Sequence, residues 1–143
     1  MTGIRIGQSD DRCVLIRHGC QDHGNSSSDL SLSSHAFDVS LLLPSLRRED
    51  RCDALTLFVE RFMTELEEMR RSLSGRATLT LDGPPFFNLT GELGARGKLW
   101  WNGELRNYDW TLSFKMEDDQ SSLPFLIASV KRLLHELIDP ALP

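Results

Sequence analysis

The sequence lacks any long hydrophobic run. No window of about 18 consecutive apolar residues occurs, so no segment is predicted to span a bilayer and no membrane partner is expected. Charged residues interrupt the first twenty positions, so no secretory signal is predicted there. The three cysteines are an odd number without the spacing of a disulfide framework, which favours reduced thiols. Together these absences predict a cytoplasmic protein.

An excess of positive charge is also absent. Sixteen Lys and Arg face 21 Asp and Glu, which gives a formal net charge of −5. Nucleic-acid-binding domains usually show a clustered basic footprint, so this balance predicts no nucleic-acid partner. The hydrophobic fraction of 40% and the charged fraction of 26% are those of an ordinary globular protein.

Recognisable catalytic motifs are missing. There is no Gly-x-Ser-x-Gly elbow, no phosphate-binding glycine loop and no His-Glu-x-x-His pair. The three glycines at 91, 94 and 97 have the wrong order for a phosphate loop and favour a hairpin turn. The sequence therefore predicts a protein that is not an enzyme and holds no cofactor.

One cluster of potential metal ligands stands out near the N-terminus. It consists of Cys13, His18, Cys20 and His23, which are residue types that zinc accepts. Their spacing matches no zinc motif, and a lone cysteine in a strand is commonly buried for packing alone. We therefore predict no metal, with one buried cysteine and loop residues instead.

A helical period marks the middle of the chain. No glycine or proline occurs from Ser45 to Ser74, and apolar residues recur there at steps of three and four. This pattern predicts a helix at about 51–73, with Asp50 as its N-cap and Gly75 at its left-handed C-cap.

The rest of the chain predicts strands and a second helix. Alternating apolar residues indicate strands near positions 4–6, 13–16 and 36–41, and a meander from 77 to 116. An apolar stripe from Leu126 to Leu137 indicates a closing helix. The prediction is a single α+β domain over 1–143, with a flexible Ser-rich loop at 19–34. It has a single antiparallel β-sheet of about six to seven strands, and two amphipathic helices are packed on one face.

Adjacent aromatic residues supply the best candidates for a binding surface. Trp100 and Trp101 are neighbours in a predicted strand, so their side chains point to opposite faces. If helices cover one face, one of the two indoles lies on the open face, where a Trp often anchors a partner. Leu57, which falls outside the apolar stripe of the first helix, and Glu60 on its acidic face are weaker candidates.

A set of short motifs resembles a known bacterial family. The residues that carry the resemblance are Asp38-Val39-Ser40-Leu41, Ala54-Leu55 with Phe58, Leu66, Leu73-x-Gly75-x-Ala77-x-Leu79, Asn88-Leu89, Leu99, Leu112-x-Phe114 and Asp119-Gln120-Ser121-x-Leu123. Over about residues 35–137 the chain is similar to WapI-type immunity proteins and the related DUF6228-like domains. The resemblance implies a non-enzymatic inhibitor whose partner is a cognate toxin domain.

Two alternatives to a toxin-binding module stay open at this point. A pocket between sheet and helices would suit a small-molecule-binding or catalytic domain. Pairing of two copies through the open sheet face would instead make the chain a homo-oligomeric structural domain. The absence of a catalytic constellation favours the binding module or the homodimer.

Overall fold

The computed structural model describes residues 3–19 and 32–138. Four strands are followed by a helix, and the same order then repeats. The first half contains β1 (Gly3–Ser9), β2 (Arg12–His18), β3 (Ser34–Leu43), β4 (Leu46–Leu55) and α1 (Thr56–Ser72). The second half contains β5 (Gly75–Leu81), β6 (Phe86–Leu93), β7 (Lys98–Arg106), β8 (Thr111–Asp119) and α2 (Leu123–Ile138). Short 3-10 turns lie at Ala95–Gly97 and Gln120–Ser122.

The strands form two four-stranded antiparallel sheets, which we call the first sheet (β1–β4) and the second sheet (β5–β8). The prediction of one sheet with six to seven strands was therefore wrong, although the α+β class is observed. No ladder joins the two sheets among the described residues, and α1 lies between β4 and β5 in the chain. Where these two strands meet, a single bridge joins Asp53 to Asp82, with N–O distances of 2.8 and 2.6 Å.

The start of the first helix also differs from the prediction. Residues 46–55 form a strand that pairs with β3 along its whole length, and α1 begins at Thr56 rather than at 51. Asp50 is not a helix cap. It forms an ion pair with Arg48, in which Arg48 Nε lies 2.5 Å from Asp50 Oδ2. At the other end of the helix, Leu73 rather than Gly75 is the C-cap residue, with φ of 58°.

The hydrophobic core is one continuous cluster that draws on both sheets and both helices. Its largest fully buried side chains include Trp101, Phe37, Phe62 and Phe87. The helices contact each other, and α1 packs along β5 while α2 packs along β1. One face of each sheet is therefore covered and the other is exposed.

Most of the predicted Ser-rich loop at 19–34 lies outside the described residues, and Ser34 is already part of β3. Within the described ranges, neither helix has the length and apolar character required to cross a membrane.

A glycine in β7 makes room for an aromatic ring of β8. A Cβ atom at Gly103 would overlap the ring of Phe114, which stacks on Phe87 with centroids 6.4 Å apart. We expect Gly103→Ala to lower the free energy of unfolding by about 1–3 kcal/mol, because the packed ring must shift. Urea denaturation measures this, and Gly94→Ala is the control, since its nearest atom would lie 3.9 Å away. Equal stability of the two variants would contradict the packing described here.

Candidate functional site

The exposed face of the second sheet carries a regular arrangement of side chains. Because the four strands pair in continuous register, alternate residues of each strand form rows on this face. We call it the outer face, and it comprises Arg76, Thr78, Thr80, Phe86, Asn88, Thr90, Glu92, Lys98, Trp100, Asn102, Glu104, Arg106, Thr111, Ser113, Lys115, Glu117 and Asp119.

Two aromatic rings lie on the outer face, each beside a cation. The ammonium nitrogen of Lys115 is 4.6 Å from the ring centroid of Trp100. The guanidinium carbon of Arg106 is 5.4 Å from the ring centroid of Phe86. We call these pairs the Trp100 station and the Phe86 station. Arg106 is opposite Phe86 in the register and six residues from Trp100 along β7, so the stations are roughly 20 Å apart.

Most of the side chains between the two stations are uncharged, and the carboxylate among them, Glu104, is paired with Arg106. The hydroxyls of Thr78 and Thr90 are hydrogen-bonded at 3.1 Å, and the Thr80 hydroxyl donates to Asn88 Oδ1 at 3.3 Å. Asn102 continues the row of Thr78 and Thr90 on β7. This strip offers hydrogen-bond donors and acceptors without a net charge.

The charges of the outer face are balanced differently from those of the chain. Three carboxylates form ion pairs there: Glu92 with Arg76 at 3.6 Å, Glu117 with Lys98 at 3.2 Å, and Glu104 with Arg106 at 3.9 Å. Lys115 is a fourth cation, and no ion pair of it is found within the described part of the chain. With Asp119, which is opposite Lys98 in the register, the face has four cations and four carboxylates and is neutral, although the chain is acidic.

The first sheet has no comparable surface. Its exposed face is crossed by charged side chains such as Arg17, Asp38 and Arg51, and Arg51 Nε lies 3.7 Å from Asp38 Oδ1. Over residues 3–19 and 32–55, no aromatic side chain points outward from it. Among the described residues, exposed aromatic side chains with a cation beside the ring are therefore found on the outer face of the second sheet and not on the exposed face of the first.

A groove runs along the border of the outer face, between α1 and β5. It is an open depression of ≈ 570 Å³, lined by Leu57, Phe58, Glu60, Arg61, Thr64, Glu65, Thr78 and Thr80. The backbone N–H of Thr78 donates to Glu65 Oε1 at 3.0 Å, which holds the helix against the strand. Thr78 and Thr80 belong to both the groove and the outer face, so the two surfaces are continuous.

The candidate binding residues from the sequence fall into three environments. Trp100 is half-buried on the outer face, whereas Trp101 is fully buried and packs edge-to-face on Phe62 at 6.3 Å. Of the two indoles, only Trp100 offers a surface to a partner. Leu57 and Glu60 come together in the groove. Phe86 was not among the candidate binding residues, although Phe86 and Phe87 are adjacent in a strand in the same way as the two tryptophans.

The potential metal ligands near the N-terminus are not assembled within the described residues. Cys13 is buried on β2, and Cys20 and His23 lie outside the described residues. His18 Nδ1 lies 3.8 Å from Glu136 Oε1, and His35 Nε2 is 2.9 Å from the Thr56 hydroxyl. Among residues 3–19 and 32–138, no group of three His, Cys, Asp or Glu is placed to hold a metal ion.

The remaining described cysteine is not placed for nucleophilic chemistry. The Cys52 thiol donates to the carbonyl of Pro85 at 3.2 Å. Burial, with Asp50 and Asp53 nearby, raises the pKa of this thiol to about 12. A thiol with so high a pKa stays protonated at neutral pH and is a poor nucleophile.

Comparisons with known proteins identify neighbours by fold only. No protein-family model matches the chain, and no curated protein matches it. Among solved structures, the plant transcriptional regulator PBF-2 matches with a TM-score of 0.57 at 8% identity, covering 97% of this chain and 83% of that one. MRP1/MRP2 of Trypanosoma brucei matches with a TM-score of 0.51 at 14% identity, and the match covers 99% of this chain and 90% of that one. A guideRNA-binding protein complex bound to a gRNA matches with a TM-score of 0.53 at 13% identity, and the match covers 95% of this chain and 92% of that one.

These neighbours correct two predictions made from the sequence. None of the three is an immunity protein, and the prediction of an immunity-like inhibitor with a toxin domain as partner is wrong. A second copy as partner stays a prediction. The exclusion of nucleic acid is also wrong, because it rested on the net charge alone and a protein of this fold binds gRNA. The resemblance to the WapI-type family stays a prediction that these neighbours do not address.

Proposed function

We propose that this chain is a non-enzymatic domain that binds single-stranded nucleic acid, and RNA in particular, on the outer face of the second sheet. The observation that carries the proposal is the pair of aromatic stations, each with a cation beside the ring. The similarity of fold to a guideRNA-binding complex supports it.

The chemistry of the stations suits an unpaired strand. Aromatic side chains on a sheet give successive bases a surface on which to stack, and every base can stack because every base has a π-face. Lys115 and Arg106, which are held next to the rings, are placed to meet the phosphates of those same nucleotides. Ring and cation together therefore bind a nucleotide at each station.

A duplex is a poorer ligand for this surface. Its bases are already stacked and paired, so Trp100 and Phe86 would find no free base face. Duplex binding relies mainly on neutralising closely spaced phosphates, and the outer face offers only four cations, three of which are paired with carboxylates.

The polar strip between the stations favours RNA over DNA. Ribose 2′-hydroxyls both donate and accept hydrogen bonds, which is how proteins distinguish the two sugars. Thr78, Thr90 and Asn102 present hydroxyl and amide groups along the path between the rings. A cytoplasmic location, consistent with the free thiols of Cys13 and Cys52, would expose the chain to RNA.

The acidity of the whole chain does not oppose this binding. Charges more than about 8–10 Å apart across water are largely screened at physiological ionic strength. The nearest charges to a bound strand are those of the outer face, where four cations balance four carboxylates and two of the cations lie beside the rings. The net charge of −5 instead suppresses non-specific attraction of polyanions elsewhere.

Removal of the Trp100 ring tests the proposal. We expect the protein to bind a fluorescently labelled uridine 15-mer in a saturable manner, and Trp100→Ala to weaken the affinity by about 5- to 150-fold, the equivalent of about 1–3 kcal/mol per stacked base. Fluorescence anisotropy at fixed low salt measures both proteins. A hairpin duplex of the same length should bind more weakly than the 15-mer.

Phe125→Ala is the matched control. Phe125 is an aromatic side chain on α2 with 79% of its surface exposed, and it is not part of the outer face. Its removal should leave the RNA affinity unchanged. If Trp100→Ala and Phe125→Ala weaken binding equally, or if the 15-mer does not bind, the proposed function is wrong.

A further inference from the structure

The Phe86 station continues beyond the outer face onto the turn that joins β7 to β8. Tyr108 lies on this turn with 80% of its surface exposed, and its ring contacts that of Phe86, with centroids 6.3 Å apart and planes at 80°. The guanidinium carbon of Arg106 lies 5.4 Å from the centroid of the same Phe86 ring. We propose that Phe86, Arg106 and Tyr108 form a site for two consecutive nucleotides of the bound strand, an inference that rests on the proposed function.

The turn that carries Tyr108 is held in place by hydrogen bonds and by packing. The N–H of Asn107 donates to the carbonyl of Trp110 at 2.8 Å, and the N–H of Tyr108 donates to Asn107 Oδ1 at 2.7 Å. Trp110 packs against the hydrophobic core, and its ring centroid lies 4.1 Å from the guanidinium carbon of Arg48 on β4. The backbone of the turn is therefore ordered before a strand binds, which lowers the entropy cost of binding.

The order of the groups in the site matches the order of groups in a dinucleotide. Two consecutive nucleotides carry two bases with one phosphate between them, and the site has two rings with one cation beside them. Because the planes of the two rings are nearly perpendicular, two bases that each stack on one ring cannot stack on each other. Only an unpaired strand can separate its neighbouring bases in this way, so the site selects against a duplex.

Arg106 keeps hydrogen-bond donors for the phosphate. Its Nε lies 3.9 Å from Glu104 Oε1, and both side chains are about half exposed, so water screens this ion pair. The guanidinium has five N–H donors, and one carboxylate can occupy only two of them. The exposed Asp109, which follows Tyr108 in the turn, repels a phosphate and so favours its position on the Arg106 side of the site.

Two variants of Tyr108 test whether its ring binds a base. We expect Tyr108→Ala to weaken the affinity for the uridine 15-mer, measured by fluorescence anisotropy, by about 5- to 150-fold, because one stacked base is lost. Tyr108→Phe keeps the ring and should bind as the unmodified protein does. Phe125→Ala is the matched control, because Phe125 is 79% exposed and lies on α2, outside the outer face.

The salt dependence of binding tests the role of Arg106. Each phosphate of a single strand that a protein neutralises adds about 0.7 to the slope of log affinity against log salt concentration. We therefore expect Arg106→Gln to make this slope shallower by about 0.7. Arg51→Gln is the matched control, because Arg51 Nε lies 3.7 Å from Asp38 Oδ1 with similar exposure, but on the first sheet. It should leave the slope unchanged.

The possible outcomes separate this inference from the proposed function. If Trp100→Ala weakens binding of the 15-mer but Tyr108→Ala binds as Phe125→Ala does, the strand does not reach the turn and the dinucleotide site is wrong. If Tyr108→Phe loses as much affinity as Tyr108→Ala, the ring does not carry the contact and the stacking assignment is wrong. If Arg106→Gln has the same slope as Arg51→Gln, no phosphate lies at Arg106 and the assignment of two nucleotides is wrong. If the 15-mer does not bind, the proposed function itself is wrong.

Discussion

Replacement of Trp101 by alanine will lower the free energy of unfolding by about 3–5 kcal/mol, whereas replacement of Trp100 will lower it by about 1 kcal/mol or less. The two residues are neighbours in β7, but Trp101 is fully buried and Trp100 is half-buried on the outer face. Loss of a buried indole removes its apolar contacts and leaves a cavity that the core fills only in part. Urea denaturation of the two variants under identical conditions measures the difference.

A third variant separates the effects of volume and polarity at this position. Trp101 packs against Phe62 and over Gly91, where a Cβ atom would lie 2.5 Å from the indole ring. The indole Nε1 is buried and has no hydrogen-bond partner within the described residues. Trp101→Phe keeps most of the ring volume and removes this unsatisfied N–H, so it should cost much less than Trp101→Ala. If Trp100→Ala and Trp101→Ala lower the free energy of unfolding equally, the assignment of Trp101 to the core and Trp100 to the outer face is wrong.

Local patterns predicted most of the second half of the chain. The alternation of apolar and polar residues from Ala77 onward places strands close to β5, β6, β7 and β8, and the stripe from Leu126 onward places α2. In one place the alternation of apolar and polar residues continues beyond the end of a strand. The predicted meander from 77 to 116 includes Trp110, but β8 begins at Thr111, and the centroid of the Trp110 ring lies 4.1 Å from the guanidinium carbon of Arg48 on β4. Such a contact between the two sheets leaves no trace in local periodicity.

The first half shows where local patterns fail. The segment from Arg47 to Asp53 is rich in charge and lacks β-branched residues, so nothing in it signals a strand. It becomes β4 because ten residues pair with β3 and because Cys52 and Ala54 point into the core. The division into two sheets is equally non-local, since it depends on which strands pair after α1 has separated β4 from β5.

The candidate site depends on register as well as on residue type. Trp100 was recognised from its position beside Trp101, but Lys115 is fifteen residues further on and reaches the same ring only because β7 pairs with β8. Leu57 and Glu60 were recognised on the helix, and the strand that completes their groove is more than fifteen residues away. Net charge was a poor guide because it sums over the whole chain, whereas a bound strand meets the charges of one face.

The combined loss of both stations should have the largest effect on RNA binding. We expect the double variant Phe86→Ala, Trp100→Ala to weaken the affinity for the uridine 15-mer by the product of the two single effects, about 25-fold or more. The two rings are roughly 20 Å apart along β7, and substitutions at such a distance without shared contacts are usually additive in free energy. Anisotropy titrations of the unmodified protein, of each single variant and of the double variant together form a double-mutant cycle.

A second double variant tests whether the removal of any two exposed apolar side chains weakens RNA binding. Leu46 and Phe125 are exposed at 38% and 79%, and neither lies on the outer face, so Leu46→Ala combined with Phe125→Ala should bind as the unmodified protein does. Additive losses would mean that one strand contacts both stations at once and crosses the strip of Thr78, Thr90 and Asn102 between them. If the double variant binds no more weakly than Trp100→Ala alone, the strand leaves the face before it reaches Phe86, and the site is confined to the Trp100 station.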